Sequence, residues 1–499
     1  MILTENIVWW LQNLTSKKFF LDQHGCAKNQ VDGELIIDRL EKKGYIRTTE
    51  AEEADLIIVN SCGFIESAKK ESLDAVMTAR SSYPHAKILL SGCLAERYAK
   101  DLKDALPEAD GIFGNGDISE IDNIVSSLFK GERPVLTPQQ KGVCCGDRNT
   151  MLSFPGSAFV KITEGCNNCC SFCAIPLIRG KLRSRKAEDI VDEISSLVKK
   201  GYKEICLIGQ DLAAYGCGKE DDVFGEGTNG YEKIYRNLEK PLFEYSSDSP
   251  LRKEKSYLAR LAEKISSIEG NFWIRLLYIH PDHFDPDLLE VMKKDSRILP
   301  YFDIPFQSAS EKIVHAMNRK GSSESYIKLE KIIRSAFPDA AIRTTFLTGF
   351  PGESEDDASK TFEFLSSLNS DWSGCFTYSC EEDTPAAKMK GKVSSKTAQK
   401  RADLLLQKQS EITCNRLSKR TGKKYDVLVE EIIQNNEGTD EGLAIGRAWF
   451  QAPEVDGNVV IRYDLSDPKA KETIVPGNMV SVMAASSSEF DIDGVFLDQ

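Results

Sequence analysis

The sequence of 499 residues contains no apolar run long enough to cross a membrane. Its most apolar stretch near the start, IVWWLQNL, is far shorter than the roughly 20 residues that a bilayer requires. No basic segment precedes that stretch, as one would in a signal peptide. Internal repeats and coiled-coil heptads are also lacking. These absences argue against membrane-spanning and repeat architectures and favour a protein of the cytoplasm.

Positive charge is not in excess either, and histidine is scarce. The net charge is −13, and none of the five histidines stands at a metal-binding spacing. Most of the negative excess lies in residues 421–499, which carry 15 acidic and 6 basic side chains. This segment should repel a polyanion such as RNA and attract a basic protein, unless its acids serve only solubility. The acids expected to face such a partner include Glu454, Asp456, Asp464 and Asp467.

Cysteine, by contrast, is abundant, with 14 copies. In a short secreted chain that number would indicate disulfides. In a long chain without an export signal it indicates free thiols or metal ligands. Four of the cysteines fall within the segment EGCNNCCSFC, residues 164–173. The remainder of the sequence must therefore indicate what this cluster binds.

The length predicts about three domains, of which the first is a parallel α/β sandwich. Over residues 17–133, apolar runs such as ADLIIVNSC and AKILLSGC alternate with stretches of helical periodicity. Cys26, Cys62 and Cys93 each come just after an apolar strand. Because a parallel sheet gathers its ligand-binding loops along one edge, we expect these three thiols to converge.

The second domain is a partial barrel, preceded by a linker. Residues 134–156 contain Pro, Gln, Gly and the pair Cys144 and Cys145, and they interrupt the alternation. Six successive strand–helix units over residues 157–420 then indicate an incomplete (β/α)6 barrel. In such a barrel, chemistry is expected at the C-terminal ends of the strands. Residues 217–256 lack periodicity and are predicted to form a surface insertion.

The two ends of the chain complete this organisation. Residues 421–499 contain short strands such as YDVLVEE and NVVIRY between Gly, Pro and Asn turns, which predicts a small antiparallel β-barrel. Residues 1–16 precede the first predicted strand and are interpreted as an N-terminal extension. The predicted fold class is therefore α/β, with a parallel sandwich, a partial barrel and a small β-barrel in that order.

The cysteine cluster can be divided in two ways. As two C-x2-C pairs, Cys166 with Cys169 and Cys170 with Cys173, it could bind zinc, but a closed zinc site usually separates its pairs by a longer loop. The alternative is C-x3-C-x2-C, which uses Cys166, Cys170 and Cys173 and leaves Cys169 as a bystander. Three thiolates in one loop can hold three irons of a 4Fe–4S cluster and leave the fourth iron open.

That spacing, after the first strand of a partial barrel, resembles the radical S-adenosylmethionine (SAM) superfamily. In that superfamily the open iron binds the amino and carboxylate groups of SAM. One electron from the cluster then cleaves SAM to a 5′-deoxyadenosyl radical. The resemblance implies that the cofactor supplies the difficult chemistry, while the protein positions it and excludes water.

A narrower resemblance covers nearly all of the chain. The segments QHGCAKNQVDGE, NSCGFIESAKKES and SGCLAERY are similar to the three-cysteine N-terminal domain of the methylthiotransferases, and residues 421–499 are similar to a TRAM domain. Segments of the barrel that match are CNNCCSFCAIPLIRGKLRSR, LIGQDLAAYG, PFQSASEKIVHAMNRK and RTTFLTGFPGE. By this resemblance Cys26, Cys62 and Cys93 hold a second cluster, so the implied cofactors are two 4Fe–4S clusters and SAM.

Within that family the chain resembles the ribosomal-protein aspartate methylthiotransferases more than those that modify transfer RNA. The RNA-modifying members usually place an arginine and a glycine before Thr-Pro, where this chain has Glu381, Glu382 and Asp383 in YSCEEDTP. The strand WIRLLYIHP is also similar to the protein-modifying group. The implied reaction is methylthiolation of the β-carbon of an aspartate in the small-subunit ribosomal protein numbered twelve. The alternatives are an enzyme acting on adenosine in transfer RNA and a non-catalytic binding module that holds zinc.

The resemblance also implies partners and a SAM site. The partners are a basic ribosomal protein of the small subunit, an external electron donor and a sulfur donor, with no direct RNA substrate. No side chain is identified as catalytic. Arg179, Arg183 and Arg185 either face SAM or substrate or belong to a solvated helix start. The residues implied to line the SAM site are Gln210, Gly349, Gly352 and Glu353.

Overall fold

The computed structural model describes residues 17–227, 237–252, 255–433 and 440–498. The predicted extension, residues 1–16, lies outside these ranges. The described chain forms two compact units, of which the first comprises the described residues as far as Leu152 together with Ala174–Lys181. The second comprises Ser153–Cys173 and the described residues from Leu182 onward. No helix in the described ranges is sufficiently long and apolar to cross a membrane.

The first unit is built on a parallel six-stranded sheet. Its strands are β1 (Lys18–Gln23), β2 (Ile46–Arg47), β3 (Leu56–Ser61), β4 (Lys87–Gly92), β5 (Gly111–Phe113) and β6 (Val135–Leu136). They lie in the order β2-β1-β3-β4-β5-β6. The central strands β3 and β4 read LIIVNS and KILLSG and are almost entirely buried, as expected for parallel strands covered on both faces.

Helices connect these strands and cover the sheet. They are α1 (Ala27–Lys42), α2 (Glu66–Ser82), α3 (Cys93–Ala105) and α4 (Ile121–Phe129). The short α5 (Ile175–Ile178) comes from a later segment, Ala174–Lys181, and belongs to the same unit. The strand order reverses direction between β1 and β3. A reversal of this kind opens a crevice at the C-terminal ends of the strands, where sheets of this type bind their ligands.

Part of the predicted linker, residues 134–156, is folded into the first unit. Its residues Val135 and Leu136 form β6, which pairs with β5. Farther along, Arg148 forms a buried ion pair with Glu34 of α1, at 2.5 Å between Nη1 and Oε2. The segment therefore has fixed partners, which its turn-rich composition did not reveal.

The second unit begins with six parallel strands. These are β7 (Ser157–Lys161), β10 (Glu204–Ile208), β11 (Trp273–Leu276), β12 (Tyr301–Asp303), β13 (Ala341–Thr348) and β14 (Trp372–Thr377). They form two sheets, β11-β10-β7 and β12-β13-β14. Before β10, the strands β8 (Thr163–Glu164) and β9 (Arg183–Ser184) form an antiparallel pair. The loop with Cys166, Cys170 and Cys173 lies between these two strands in the sequence.

Helices alternate with these strands, as the six predicted strand–helix units require. They are α6 (Ala187–Lys199), α7 (Tyr257–Ile265), α8 (Asp287–Lys294), α9 (Glu311–Ala316), α10 (Ser323–Ala336), α11 (Glu355–Leu368) and α12 (Ser395–Ser418). The helix α6 illustrates how the sequence fixes the packing. Its buried residues Ile190, Ile194 and Leu197 recur at intervals of three and four, which places them on one face.

The predicted surface insertion, residues 217–256, is packed more closely than expected. Four of its apolar side chains are buried: Val223, Leu238, Leu242 and Phe243. Two parts of it, residues 228–236 and 253–254, lie outside the described ranges. The segment is rich in Gly and charged residues, so its sequence did not indicate that these apolar side chains would be buried.

The chain ends in a closed five-stranded barrel. Its strands are β15 (Lys424–Ile433), β16 (Glu441–Ala448), β17 (Val459–Asp464), β18 (Met479–Ser487) and β19 (Ile492–Phe496), with helix α13 (Pro468–Thr473) between β17 and β18. The order is β15-β16-β17-β19-β18. Neighbouring strands are antiparallel except for β17 and β19, which run parallel.

A buried ionic cluster joins this barrel to the rest of the second unit. Glu204 of β10 accepts hydrogen bonds from Arg275 Nε at 2.7 Å and from Arg447 Nη2 at 2.6 Å. Arg447 also pairs with Glu430 of β15. Burial opposes ionisation of Glu204, but Arg447 and Arg275 outweigh it and hold its pKa at about 2. The Glu204 carboxylate is therefore charged in the folded protein.

One of the acids expected to face a partner lies inside the second unit instead. The side chain of Asp456 is fully buried and forms an ion pair with Arg343 at 3.4 Å. It also accepts a hydrogen bond from the Tyr301 hydroxyl at 2.6 Å. The expectation for Asp456 was therefore wrong, because net charge does not reveal which acids have internal partners. Glu454 and Asp464 are exposed.

Candidate active site

The second cysteine triad, Cys166, Cys170 and Cys173, lies on a loop that is held by residues 316–319. The Ser171 backbone N–H donates to the Met317 carbonyl at 3.1 Å. The side-chain amide of Asn318 donates to the Cys169 carbonyl at 3.1 Å. Cys169 itself has a left-handed φ of 52°, which turns the chain within the loop. These contacts fix the positions from which the neighbouring cysteines project.

Three of the four loop cysteines lie close enough to influence one another electrostatically. Burial raises the pKa of Cys166 well above its ordinary value, and the negative charges of Asp211, Cys170 and Cys173 raise it further. Cys169 is exposed and is not among these neighbours. These interactions bring Cys166 near Cys170 and Cys173, and the assignment of the three as cluster ligands in the C-x3-C-x2-C register stays a prediction.

Two histidines stand beside this loop. His283 Nδ1 lies 2.6 Å from Asp211 Oδ2, and His280 Nε2 lies 3.9 Å from the Cys170 sulfur. Burial lowers the pKa of His280 to about 3, so its ring is neutral. Because its Nδ1 accepts a hydrogen bond from the Asp282 backbone N–H at 3.2 Å, its proton resides on Nε2. His280 is therefore oriented to donate toward the cysteine sulfur.

No role was predicted for these histidines, because neither was identified at a metal-binding spacing. Both lie in the segment IHPDHF, which follows β11. The C-terminal end of a barrel strand is the expected place for chemistry. Their position after β11 is the feature of the sequence that points to these histidines.

A cavity of about 380 Å³ adjoins the loop and is lined by Asn167, Asn168, Cys169, Leu182, Ala214, Cys217, Leu238, His280, Asp282, His283, Asn318 and Lys320. Its volume lies in the range of small-molecule sites, about 300–1,000 Å³. Gln210, at the end of β10, has a buried amide whose nitrogen and oxygen lack partners among the described residues. A buried amide in this state suits a polar ligand, because unpaired buried donors and acceptors are costly. Gln210 is not among the residues that line this cavity, so its place in a SAM site stays a prediction.

The segment GFPGE is partly occupied by internal contacts. The Glu353 carboxylate accepts from the Gly349 N–H at 2.7 Å and pairs with Arg401 at 2.7 Å. A Cβ at Gly349 would lie 2.4 Å from the Cβ of Ala398, so this glycine permits helix packing. Around a Cβ at Gly352 the space is open. Of the residues predicted here, Gly352 has the open space for a ligand, while Gly349 and Glu353 shape the turn.

The first triad lies at the crevice where the strand order of the first unit reverses. Cys26 follows β1, Cys62 follows β3 and Cys93 follows β4. Two glycines allow these loops to approach closely. A Cβ at Gly25 would lie 3.1 Å from the Cβ of Cys62, and one at Gly63 would lie 2.7 Å from the Cys93 carbonyl oxygen. The three cysteines therefore lie on adjacent loops, as the parallel sheet predicts.

A buried arginine accompanies the first triad. Arg179 Nη2 lies 3.2 Å from the Cys93 sulfur and 2.9 Å from Asp32 Oδ2. Burial raises the pKa of Cys93 to about 12, and Arg179 opposes that rise. Shielding from solvent also disfavours ionisation of Cys26, but the charges of Lys28 and Arg179 outweigh it and lower its pKa. For Arg179, the sequence left open a contact with SAM or substrate and a place in a solvated helix start. Within the first unit, Arg179 contacts Cys93 of the first triad.

The remaining candidate arginines also differ from one another. Arg185 is buried and pairs with Glu193 of α6 at 2.5 Å, and it donates to the Lys161 carbonyl at 3.0 Å. Arg183 lies on β9, opposite Glu164. Arg185 is therefore held by internal contacts that brace the start of the barrel.

The donor chemistry of the two triads fits iron–sulfur clusters. Among the described residues, no group of three or more His, Cys, Asp or Glu side chains is arranged to hold a single metal ion. A 4Fe–4S cluster makes a different demand, because each thiolate binds a different iron. Cations and N–H donors near sulfur, such as Arg179 and His280, stabilise thiolate ligands.

Three parts of the chain match known protein families. Residues 18–114 match the Uncharacterized protein family UPF0004, residues 160–365 match the radical SAM superfamily, and residues 421–497 match the TRAM domain. The predicted fold class, with its sandwich, partial barrel and TRAM-like barrel, is confirmed. Together with the cysteine loop, these matches define a radical SAM enzyme.

Individual relatives specify the family. The chain is 50% identical over 490 residues to the ribosomal protein uS12 methylthiotransferase RimO of Treponema denticola. The aligned region covers 95% of this chain and 100% of the relative. It is 36% identical to the protein of that name from Carboxydothermus hydrogenoformans, over 96% of this chain and 100% of the relative. The chain therefore belongs to the RimO family of radical SAM methylthiotransferases. Its cofactors are SAM and 4Fe–4S clusters, as predicted.

Among solved structures, the chain is similar to the radical SAM methyltransferase TsrM from Kitasatospora setae. That match has a TM-score of 0.47 and 12% identity, over 72% of this chain and 73% of the other. A likeness of this strength has no bearing on substrate. Family membership makes the chain an enzyme, contrary to the alternative of a non-catalytic module that holds zinc.

Proposed function

We propose that this protein adds a methylthio group to the β-carbon of an aspartate in ribosomal protein uS12. The observation that carries the proposal is the 50% identity, over 95% of the chain, to a protein described as a uS12 methylthiotransferase. Glu381, Glu382 and Asp383, which stand before Thr-Pro, support a protein substrate over transfer RNA. The site of action is the cytoplasm, where ribosomal proteins are found.

The two triads divide the reaction between them. Cys166, Cys170 and Cys173 would hold the cluster that binds SAM, and Cys26, Cys62 and Cys93 would hold the other. When bound, these groups supply the radical that removes a hydrogen from an unactivated carbon and the sulfur that replaces it. The protein's part is to orient these groups and to exclude water.

Two side chains that follow barrel strands β10 and β11 support that division. The His280 N–H faces Cys170, and Gln210 presents an unpaired buried amide beyond β10. Gln210 and Gly352 are the proposed contacts for SAM. Gly349 and Glu353 would shape the turn that presents Gly352, through the N–H to carboxylate bond at 2.7 Å.

The C-terminal barrel is the proposed capture surface for a basic protein. Setting aside the buried Glu430, Asp456 and Arg447, residues 421–499 retain 13 acidic and 5 basic side chains. Their field attracts a Lys- and Arg-rich ribosomal protein and speeds its encounter with the enzyme. An external reductant and a sulfur donor complete the reaction.

The test is a competition between the two candidate substrates. Anaerobic, reconstituted enzyme is incubated with SAM, a reductant and sulfide, with either uS12 or unmodified transfer RNA, and the products are weighed by mass spectrometry. We expect a methylthio mass gain on an aspartate-containing peptide of uS12. A gain on RNA nucleosides, with none on protein, would contradict the proposal and favour the transfer RNA enzyme.

A further inference from the structure

A pair of adjacent cysteines, Cys144 and Cys145, lies in the first unit outside both triads. The pair falls in the segment predicted to be a linker. The nearby ion pair between Arg148 and Glu34, at 2.5 Å, anchors this segment on α1. Cys145 is exposed and Cys144 is half-buried. The two thiols therefore occupy a fixed position with one of them open to solvent.

Asn115 links this pair to the first triad. Its side-chain amide donates to the Cys93 sulfur at 3.4 Å. Its backbone carbonyl accepts from the Cys144 thiol at 3.8 Å. A single residue therefore separates Cys144 from a cysteine proposed to hold a cluster. Sulfur released at the pair would enter solution beside that site.

The pair also lines a cavity of about 270 Å³. Three cations and three carboxylates contribute to its wall: Arg39, Lys42, Lys141, Asp38, Asp117 and Asp147. Lys42 pairs with Asp38 at 2.6 Å and Arg39 pairs with Asp122 at 2.9 Å. Lys141, Asp117 and Asp147 therefore supply the charges of both signs that suit a small zwitterion better than a simple anion. An amino-acid hydropersulfide, which carries an ammonium group, a carboxylate and a terminal sulfane sulfur, meets that description.

We propose that Cys144 and Cys145 form a sulfur-accepting site for an amino-acid hydropersulfide. The exposed Cys145 thiolate attacks the terminal sulfur of the donor R–S–SH. The donor S–S bond breaks, an S–S bond to Cys145 forms, and R–S⁻ leaves and takes up a proton. The products are a Cys145 persulfide and the donor thiol, and no external oxidant is required.

Cys144 then releases the sulfur. Its thiolate attacks the inner sulfur of the Cys145 persulfide, which forms a disulfide between the two residues and expels hydrosulfide. Two electrons from the thiols reduce the sulfane sulfur to sulfide. Adjacent α-carbons are about 3.8 Å apart, whereas disulfides prefer about 4.4–6.8 Å. The strained disulfide is therefore easily reduced, and a dithiol reductant restores the pair.

Persulfide labelling tests this assignment without any cluster present. Iron-free full-length protein is treated with cysteine hydropersulfide that carries an isotopically heavy sulfane sulfur, then alkylated, digested and analysed by mass spectrometry. We expect Cys145 of the Cys144→Ser protein, which lacks the thiol that releases the sulfur, to carry several times the label found at Cys414, an exposed cysteine of α12. Equal label at Cys145 and Cys414 would overturn the proposal.

Serine variants separate the two roles. Cys144→Ser should trap the label at Cys145 and suppress sulfide release, because the resolving thiol is missing. Cys145→Ser should remove both label and release, and Cys414→Ser should change neither. An unchanged persulfide lifetime in Cys144→Ser would contradict the resolving role. Circular dichroism of each variant confirms that the serine leaves the fold intact.

The proposal rests on the proposed function only for the use made of the sulfide. In the methylthiolation assay, the double serine variant should match the unaltered protein when inorganic sulfide is supplied and should lose product when cysteine hydropersulfide is the sole sulfur source. Equal product from both proteins with hydropersulfide would overturn the inference. If the unaltered protein makes no methylthio product at all, the proposed function fails, whereas the labelling experiment still reports on the pair.

Discussion

The two cysteine triads differ in how the chain builds them. The second triad comes from one loop, Cys166–Cys173, held by residues 316–319. The first comes from three loops that follow β1, β3 and β4, so its cysteines are more than 30 residues apart in sequence. A local loop keeps its spacing through its own hydrogen bonds. A site on three strand ends depends on the sheet, and on glycines that let the loops approach.

Their polar surroundings differ as well. Cys93 of the first triad has the charged guanidinium of Arg179 at 3.2 Å. Cys170 of the second has a neutral imidazole at 3.9 Å and also a hydrogen bond from the buried guanidinium of Arg319. Asp211 raises the pKa of Cys166 after the effect of burial. Each triad therefore has a guanidinium beside one sulfur, and the second adds a neutral histidine and the carboxylate of Asp211. This contrast teaches that similar ligands serve different tasks through the groups around them.

The largest expected effect follows from breaking the local loop. Cys170→Ala should abolish reductive cleavage of SAM, because it removes one of the three iron ligands. Deoxyadenosine production under anaerobic conditions measures this activity. Cys169→Ala is the matched control and should retain it, since Cys169 lies outside the group of three. Normal deoxyadenosine production by Cys170→Ala would refute the assigned register.

The second prediction separates the triads by function. Replacing Cys26, Cys62 and Cys93 together with Ala should abolish the methylthio product while SAM cleavage remains measurable. The reason is that the two triads belong to different units. Both quantities can be measured in a single assay, with deoxyadenosine as the internal control. Loss of SAM cleavage together with the product would indicate a shared site instead.

The third prediction concerns the ionic cluster of the second unit. Glu204→Gln leaves Arg275 and Arg447 buried without their carboxylate, which should lower the free energy of unfolding by roughly 3–5 kcal/mol. The pKa of Glu204 is held at about 2, below its ordinary value. Its contribution to the free energy of unfolding is therefore complete at pH values above the ordinary pKa of a glutamate, and it is lost as the pH falls toward 2. Denaturant unfolding at several pH values measures this.

The matched control is Glu431→Gln, at an exposed acid of β15. It should leave the free energy of unfolding unchanged. An equal loss of stability in both variants would show that the buried cluster has no special role in joining the C-terminal barrel to the second unit.

The fourth prediction tests the positive charge at the first triad. Arg179→Gln should weaken iron retention there about tenfold, the lower end of the effect of removing a group that supports a metal ligand. Arg179→Lys should restore part of it, because the charge near Cys93 is kept. All three proteins, with Arg, Gln or Lys at position 179, also lack the second triad, and the rate at which each loses iron to a chelator is measured. Identical rates in the three proteins would contradict a role for Arg179.

The smallest effect is expected at the C-terminal barrel. Changing Glu454 and Asp464 to Lys should slow association with uS12 severalfold without altering SAM cleavage, because both side chains are exposed. Added salt should reduce the difference, since screening limits the field to about 8 Å near physiological ionic strength. Stopped-flow measurements at two salt concentrations give the association rates of the variant and of the unaltered protein. Equal rates for the two proteins at low salt would show that the barrel does not contribute to substrate capture.

Much of this arrangement is visible in the sequence because its signals are local. The spacing of Cys166, Cys170 and Cys173 and the apolar strands before Cys26, Cys62 and Cys93 predicted which thiols lie together. The contact of Arg179 with Cys93 was not predictable, since it joins residues 86 positions apart. Asp456 was misplaced for the same reason, because its partner Tyr301 lies 155 positions away. Contacts between distant residues depend on the packed fold and leave no periodicity.

The central claim is that each triad holds its own 4Fe–4S cluster. The most direct measurement is the iron and acid-labile sulfide content of anaerobically reconstituted protein and of two variants, each with one triad replaced by Ala. We predict about eight irons in the unaltered protein and about four in each variant, because each cluster contributes four. Zinc in place of iron, or loss of all iron when either triad is removed, would contradict the account.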